Sequence, residues 1–187
     1  MIENLLQWLT SVSLAAGIFF GVIAAWRNVD ELRRRNEELA RSTKEAARRL
    51  SWEKIREAKS LLDGLRHDTQ SQNALKMTNV TGLNFETDDG SVISVTWSDI
   101  SDALEPTRVE LDDKAVWIRL QYLALFHQIV MLEHYVQTGL VEFRHLRDPL
   151  SYAMKRLKNH EAATEVFGFA EWLEQSSVAA FCERFEN

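Results

Sequence analysis

The feature that most constrains this chain is an uncharged segment that runs from Leu5 to Trp26. Its sequence is LLQWLTSVSLAAGIFFGVIAAW. As an α-helix it would be about 33 Å long, which is enough to cross a bilayer hydrocarbon core of about 30 Å. The core helix of a soluble protein is rarely so uniformly uncharged. The segment therefore predicts a single transmembrane helix.

Aromatic and basic residues near the segment predict how it lies in a bilayer. Trp8 and Trp26 are near its two ends, where indole rings act as interfacial anchors. No Lys or Arg precedes the segment and many follow it, so the positive-inside rule places the N-terminus outside and residues 27–187 in the cytoplasm. A cleaved signal peptide is the alternative, but it requires a basic leading region, and Glu3 is acidic. We therefore expect an uncleaved anchor.

One face of the predicted transmembrane helix carries a small residue at every fourth position. These residues are Ser13, Gly17, Gly21 and Ala25. Small residues allow two helix backbones to approach closely, which gains van der Waals contacts that lipid cannot provide. The spacing favours homo-oligomerisation or docking on another membrane helix, although Gly and Ala are also frequent in membrane spans that have no such role.

Residues 27–49 are predominantly basic. Arg27, Arg33, Arg34 and Arg35 carry the topology signal on what we interpret as a solvated helix face. The same arginines could bind anionic lipid headgroups, at about 1 kcal/mol for each basic residue close to the surface. Aromatic residues that would stack on bases are not interleaved with them, so the pattern does not favour nucleic acid.

The same region predicts a helical stalk. The sequence has no Pro or Gly between Val22 and Asp63, so the membrane helix could continue directly into the cytoplasm. An a/d coiled-coil pattern, with Asn at an a position, is formed by Val29, Leu32, Asn36 and Leu39, and Thr43 then interrupts it. Ser42 and Glu45 resemble a capping box, so a separate helix could instead begin there.

The rest of the chain predicts a small α-helical bundle. Residues 82–97 contain two β-prone runs around Asp88-Asp89-Gly90, a turn signal that predicts a short β-hairpin. Residues 112–138 predict a long helix with an apolar stripe at 4-3-4-3-4 spacing and further apolar residues beside it. The stripe is Ile118, Tyr122, Leu125, Ile129, Leu132 and Val136, and its neighbours are Val116, Leu120, Leu123 and Val130. So wide an apolar face predicts burial on two sides, at the centre of the bundle.

Shorter helices are predicted after Gly139. Asp148-Pro149 predicts that one begins there, because proline is favoured at the first helical position. Two more are predicted over about residues 161–173 and 177–185. Residues 77–187 carry twice as many acidic as basic side chains, in a chain whose net charge is −6. This balance favours plain solubility or a basic protein partner.

The sequence offers little that could carry chemistry. The seven glycines are scattered and form no phosphate-binding loop, and the single cysteine, Cys182, excludes a disulfide framework and a cysteine-based zinc site. His160-Glu161 begins like a zinc-protease motif, but Thr164 stands where the second histidine is needed. His127 and His134 share a helix face and could be a pH sensor or a ligand pair, although hydrogen-bonded packing is the ordinary role. We expect no catalytic residue, metal site or cofactor.

The segment Phe126–Leu157, FHQIVMLEHYVQTGLVEFRHLRDPLSYAMKRL, combines an apolar helix, a Gly-Leu-Val turn and an amphipathic helix. It resembles a bacterial family known as domain of unknown function 4760. The resemblance implies a single-pass protein of the bacterial inner (cytoplasmic) membrane with an N-terminal span, a basic helical linker and a small cytosolic helical domain. It implies no activity and no catalytic residue.

The organisation expected from the sequence is therefore mainly α. A transmembrane anchor covers residues 1–26, a basic linker or stalk residues 27–76, and an acidic helical domain with a short hairpin residues 77–187. The leading hypothesis is a non-enzymatic adaptor, anchored in the membrane, that presents its cytosolic domain to a protein partner. The alternatives are a self-assembling membrane effector or sensor that forms a pore in defence or stress, and an enzyme whose site has no recognisable motif.

If the small-residue face of the span mediates association, replacing Gly17 and Gly21 with Leu should weaken it, because bulky side chains hold the helix backbones apart. The measurement is the mass of the full-length protein in mild detergent. A mass identical to that of the natural protein would contradict the prediction.

Overall fold

The computed structural model describes residues 2–79, 81–87 and 90–186, without the side chains of residues 2–19 and 22. Within these ranges the chain forms a series of helices and one two-stranded sheet. In order they are α1 (Ile2–His67), α2 (Thr69–Met77), β1 (Leu83–Glu86), β2 (Val92–Val95), α3 (Trp97–Leu104), α4 (Asp113–Gln137), α5 (Phe143–Asn159), α6 (Ala163–Trp172) and α7 (Ser177–Glu183). The prediction of a mainly α fold with a short hairpin is confirmed.

The chain divides into two compact units, Met1–Ser51 and Trp52–Asn187. The first is formed by α1 alone. The second, here called the helical domain, contains the C-terminal part of α1 together with all later elements. Residues 52–67 of α1 thus belong with the helical domain, and buried Ala58, Leu62 and Leu65 join its core.

Helix α1 is continuous through the region where a second helix could have begun. The prediction of a helix start at Ser42 is wrong, because the hydroxyls of Ser42 and Thr43 donate to the carbonyl oxygen of Leu39, at 2.9 and 2.8 Å, within the helix. Side chains that bond backward in this way satisfy themselves without ending a helix. The backbone of residues 5–26 is also helical, but the side chains of residues 5–19 and 22 lie outside the described residues, so the transmembrane span stays a prediction.

The hairpin packs one face on the helical domain. β1 and β2 are antiparallel, with Leu83 opposite Val95 and Phe85 opposite Ile93. Phe85 and Val95 are buried, whereas the alternate side chains are exposed, as expected for strands that cover a core on one side. Gly90 in the turn has a φ of 81°, while Asp88 and Asp89 lie outside the described residues.

Helix α4 has the bounds that the sequence predicts. Its N-terminus is capped by Asp112, whose Oδ1 accepts a hydrogen bond from the backbone N–H of Ala115 at 2.7 Å. After its end, Gly139 adopts a φ of 72°, a conformation that glycine accommodates without a Cβ clash. Both ends follow from residues that favour helix boundaries.

The prediction that α4 is buried on two sides holds only in part, because Leu123 and Val130 pack on the core whereas Val116 and Leu120 are exposed. The stripe of Ile118, Tyr122, Leu125, Ile129 and Leu132 is buried against α2, α3 and α7. Val116 and Leu120, on the opposite side, are 41% and 47% exposed. The domain therefore covers one face of α4 fully and the opposite face in part, and it leaves Val116 and Leu120 open to solvent.

The prediction that a helix begins at Pro149 is also wrong, because α5 begins at Phe143 and contains Pro149. Phe143 packs edge-on against Phe185 and Phe181, with ring centroids 4.9 and 6.2 Å apart, and Leu146 is fully buried. The burial of these side chains offsets the backbone hydrogen bond that proline cannot donate.

Phe126 lies at the centre of the domain core, with its ring centroid 6.0 Å from that of Tyr122 and 6.3 Å from that of Phe169. Replacing it with Ala should lower the free energy of unfolding by about 3–5 kcal/mol, since a large cavity would remain. Denaturant unfolding of the full chain, followed by tryptophan fluorescence, measures the loss. The control is Tyr152→Ala, which removes an exposed ring and should change stability by less than about 0.5 kcal/mol. Equal midpoints for Phe126→Ala and the natural protein would contradict the assignment of this core.

Candidate docking surface on helix α4

The opposite face of α4 carries a second stripe, made of four apolar residues and two histidines and here called the α4 ridge. It consists of Val116, Leu120, Leu123, His127, Val130 and His134. Its spacing, 4-3-4-3-4, matches that of the buried stripe but is offset by two residues. Two residues correspond to about 200° around a helix, so the two stripes lie on opposite faces. Val116, Leu120, His127 and His134 are exposed, whereas Leu123 and Val130 are partly buried.

The ridge carries no charged side chain along its whole length. Between Val116 and His134 the sequence has only two charged residues, Arg119 and Glu133, and both are held within the domain. The guanidinium of Arg119 donates to the carbonyl oxygens of Ala103 and Glu105, at 2.6 and 2.8 Å. An exposed helix face of a soluble domain ordinarily carries charges, so an uncharged one over several turns is distinctive.

Glu133 is buried on the core side of α4 and is paired. Its Oε1 accepts from Arg184 in the residues that follow α7, at 2.6 Å, and from Gln137 at 2.8 Å. The same guanidinium lies 6.0 Å from the ring centroid of Phe143. A buried carboxylate needs such partners, and here they tie the C-terminal part of the domain to α4. The pair therefore stabilises the domain and adds no charge to the ridge.

The mean hydropathy of α4 is as high as that of a membrane-spanning helix. Among residues with described side chains, α4 is the helix long and apolar enough to cross a membrane by length and composition. Its most apolar stretch is 44% buried inside the domain. We describe α4 as a core helix, because one whole face packs on its neighbours, and the α4 ridge on the opposite face is only partly covered.

An open cleft lies between β2 and the first turns of α4. Its volume is about 780 Å³, and its apolar lining includes Val92, Ile93 and Trp117. Trp117 also packs on Phe85, with ring centroids 5.3 Å apart. Asp113 contributes an acidic side chain to the lining, whereas Lys114 is held by Asp99 at 2.7 Å. The rest of the lining is polar and comes from the hydroxyl residues Thr87, Ser91 and Ser94, so the cleft combines an apolar wall with hydroxyl groups and one acidic side chain.

The structure shows the surroundings of the residues that the sequence offered as candidate nucleophiles or metal ligands. Among the residues that the structure describes, no group of three His, Cys, Asp or Glu side chains could hold a metal ion. Cys182 is buried, with Sγ 3.9 Å from the sulfur of Met154, and burial raises the pKa of its thiol to about 12. The thiol is therefore protonated at neutral pH and is not a ready nucleophile. His127 and His134 both lie on the α4 ridge.

The residues predicted to act in the membrane region are only partly described. Four of these residues are described, and all are exposed on α1: Gly21, Ala25, Trp26 and Arg27. The side chains of Trp8, Ser13 and Gly17 lie outside the described residues. The roles proposed for these positions stay predictions.

Each arginine of the run 33–35 has an acidic neighbour one helical turn away. Arg33 pairs with Glu37 at 3.1 Å, and Arg34 pairs with Asp30 at 2.9 Å. Arg35 likewise pairs with Glu31 at 2.6 Å. Exposed pairs of this kind contribute little stability, but they reduce the positive potential that an anionic lipid would meet.

Sequence reasoning found the apolar residues of the α4 ridge but placed them inside the core. The one sequence signal that separates the two faces is the pair of histidines, His127 and His134, which lie on the α4 ridge and not on the buried stripe. The Glu133–Arg184 pair was missed as well. A single acidic residue within an apolar stripe is a sign that a cation lies nearby in the fold.

No protein-family model, no curated protein and no solved structure matches this chain. The resemblance to the family of unknown function therefore stays a prediction. What the chain does has to be argued from its own residues.

His160, between α5 and α6, is buried, and its Nδ1 accepts a hydrogen bond from the N–H of Ala162 at 3.2 Å. Burial lowers its pKa to about 4, and nearby Arg156 acts in the same direction, whereas Glu165 opposes the shift. The unfolded chain therefore binds a proton near pH 6.5 that the folded domain does not accept until about pH 4. Stability should fall by about 3 kcal/mol as the pH decreases through this range.

His160→Gln should flatten this dependence, because glutamine has no proton to take up. Denaturant midpoints of the natural protein and the variant at several pH values between 7 and 4 measure the difference. The same slope in both proteins would contradict the prediction.

Proposed function

We propose that this protein is a non-enzymatic, membrane-anchored adaptor that uses the α4 ridge to bind a protein partner. The observation that carries the proposal is the uncharged and only partly covered face of α4 on a domain that is otherwise rich in acidic side chains. A partner that buries this face would gain roughly 1 kcal/mol each for Val116 and Leu120, which is about half of the value for a fully exposed side chain because slightly under half of their surface remains exposed.

The N-terminal region supports the anchor. Leu5–Trp26 is uncharged and the backbone there is helical, and α1 then continues without a break to His67. A continuous helix joins the predicted span to the helical domain and can act as a spacer. In this proposal the span lies in the bacterial inner membrane, with residues 27–187 on the cytoplasmic side.

The chemistry of the surface limits the partner. The α4 ridge is about 27 Å long, which matches five turns of a facing helix. Residues 77–187 have twice as many acidic as basic side chains, and Asp113 lies in the cleft beside the ridge. The partner that fits is an amphipathic helix with an apolar face and Lys or Arg at its margins.

Leu120→Glu should reduce recovery of the partner by at least about tenfold when the full-length protein is purified from its native membranes in mild detergent. The reason is that a carboxylate at the middle of an apolar interface loses its water without gaining a partner. Quantitative mass spectrometry of the purified complex measures the effect.

The matched control is Val109→Glu, which adds the same charge at an exposed apolar residue outside the ridge and should leave recovery unchanged. Because Leu120 is half exposed, the variant should also keep the thermal unfolding temperature of the natural protein. A partner retained equally by Leu120→Glu, or a protein that purifies only with copies of itself, would contradict the proposal. The second result would favour the self-assembling effector.

A further inference from the structure

The exposed part of α1 also carries an uncovered apolar stripe, here called the stalk stripe. Its positions, 29, 32, 36, 39, 43, 46 and 50, alternate by three and four residues, which is the seven-residue repeat of a coiled coil. Four of them are large apolar residues, between 55% and 63% exposed: Val29, Leu32, Leu39 and Leu50. The other three are Asn36, Thr43 and Ala46.

The continuity of α1 makes this repeat longer than the sequence suggested. In the sequence the pattern ended at Thr43. The hydroxyl of Thr43 donates to the carbonyl oxygen of Leu39 at 2.8 Å, and the helix continues through Ala46 to Leu50. Three heptads therefore share one face of one unbroken helix. A single helix with such a stripe gains stability mainly by packing that stripe on another helix.

The residues that flank the stripe within 29–50 do not oppose a second copy in parallel orientation. Arg33 and Arg35, beside the stripe, are each paired within their own helix, with Glu37 at 3.1 Å and Glu31 at 2.6 Å. In a parallel pair, the flanking residues that face each other across the two helices are Asn28 with Arg33, Arg35 with Ala40, and Ser42 with Ala47. None of these combinations sets like charges against each other.

The polar side chain of Asn36 distinguishes a parallel from an antiparallel arrangement of two α1 helices. In a parallel, in-register pair it faces the same residue of the other copy, and the two amides can hydrogen bond in an otherwise apolar seam. In an antiparallel pair it would face a leucine and lose its hydrogen bonds. Asn at this position also favours two strands over three or four.

We propose that residues 29–50 of α1 form a parallel, in-register, two-stranded coiled coil with a second copy of this chain. The inference does not depend on the α4 ridge. A shared membrane anchor, as in the proposed function, would hold both copies in the same direction. Each assembly would then carry two helical domains, which gives a divalent partner a higher apparent affinity than one domain alone.

The test is oxidative crosslinking of full-length protein in mild detergent, with a single cysteine introduced in the stalk. Leu39→Cys and Ala46→Cys lie on the stripe, and the matched controls Arg41→Cys and Arg48→Cys face away from it. The stripe variants should form at least fivefold more disulfide-linked dimer than their controls. The natural chain reports any contribution from buried Cys182.

Orientation is tested by mixing Leu32→Cys chains with Thr43→Cys chains. A parallel, in-register pair joins position 32 to position 32 and position 43 to position 43, whereas an antiparallel pair with Asn36 opposite Leu39 joins 32 to 43. Mixed 32–43 dimers, or equal crosslinking at positions 39 and 41, would overturn the proposal. Equal crosslinking would mean that the copies associate elsewhere, and partner recovery with Leu120→Glu would still test the proposed function separately.

Asn36→Val provides a second readout, because it removes the polar layer without removing the apolar seam. The natural protein should have twice the mass of one chain, and the variant should shift toward larger assemblies. A monomeric natural protein, or an unchanged mass distribution for Asn36→Val, would overturn the assigned role of the seam.

Discussion

The helical domain depends on the burial of one face of α4. Its stripe from Ile118 to Leu132 packs on α2, α3 and α7, and the ring of Phe126 extends the contact to Phe169 in α6. The second, opposite face of α4 is covered only in part, because Leu123 and Val130 pack on the core whereas Val116 and Leu120 are exposed. The second face of α4 is apolar as well, and this is the property from which the proposed docking role follows.

The second face of α4 is uncharged because the two charged side chains nearest to it, Arg119 and Glu133, bond to other groups of the domain. Arg119 caps the carbonyl oxygens at the end of α3, and its guanidinium carbon lies 5.3 Å from the ring centroid of Phe169. Glu133 is turned to the core and held by Arg184. Both groups stabilise the packing of the helices around α4, and the ridge between them remains suitable for contact with an apolar partner.

Much of the architecture could be predicted from local signals. Asp112 and Gly139 set the ends of α4, and alternating apolar residues set the hairpin, because caps and periodicity act over a few residues. The start of α5 could not be predicted in this way. Phe143 is held in the helix by Phe181 and Phe185, which are distant in sequence, and this packing outweighs the local preference of Pro149 for a helix start.

The error about the exposure of α4 has a physical cause. Periodicity identifies which residues share a face but does not say what covers that face. Val116 and Leu120 were assigned to the core because they are apolar, and in the fold they are open to solvent. The candidate surfaces therefore emerge from the comparison of pattern with burial.

The central claim is that a protein partner covers the α4 ridge in native membranes and that the ridge is open in the isolated protein. The most direct measurement is the rate at which a maleimide labels Leu120→Cys in native membranes and after purification away from partners. The account predicts slow labelling in membranes and fast labelling after purification, while Val109→Cys labels fast in both. Equally fast labelling of Leu120→Cys in native membranes would contradict the claim that a partner occupies the ridge.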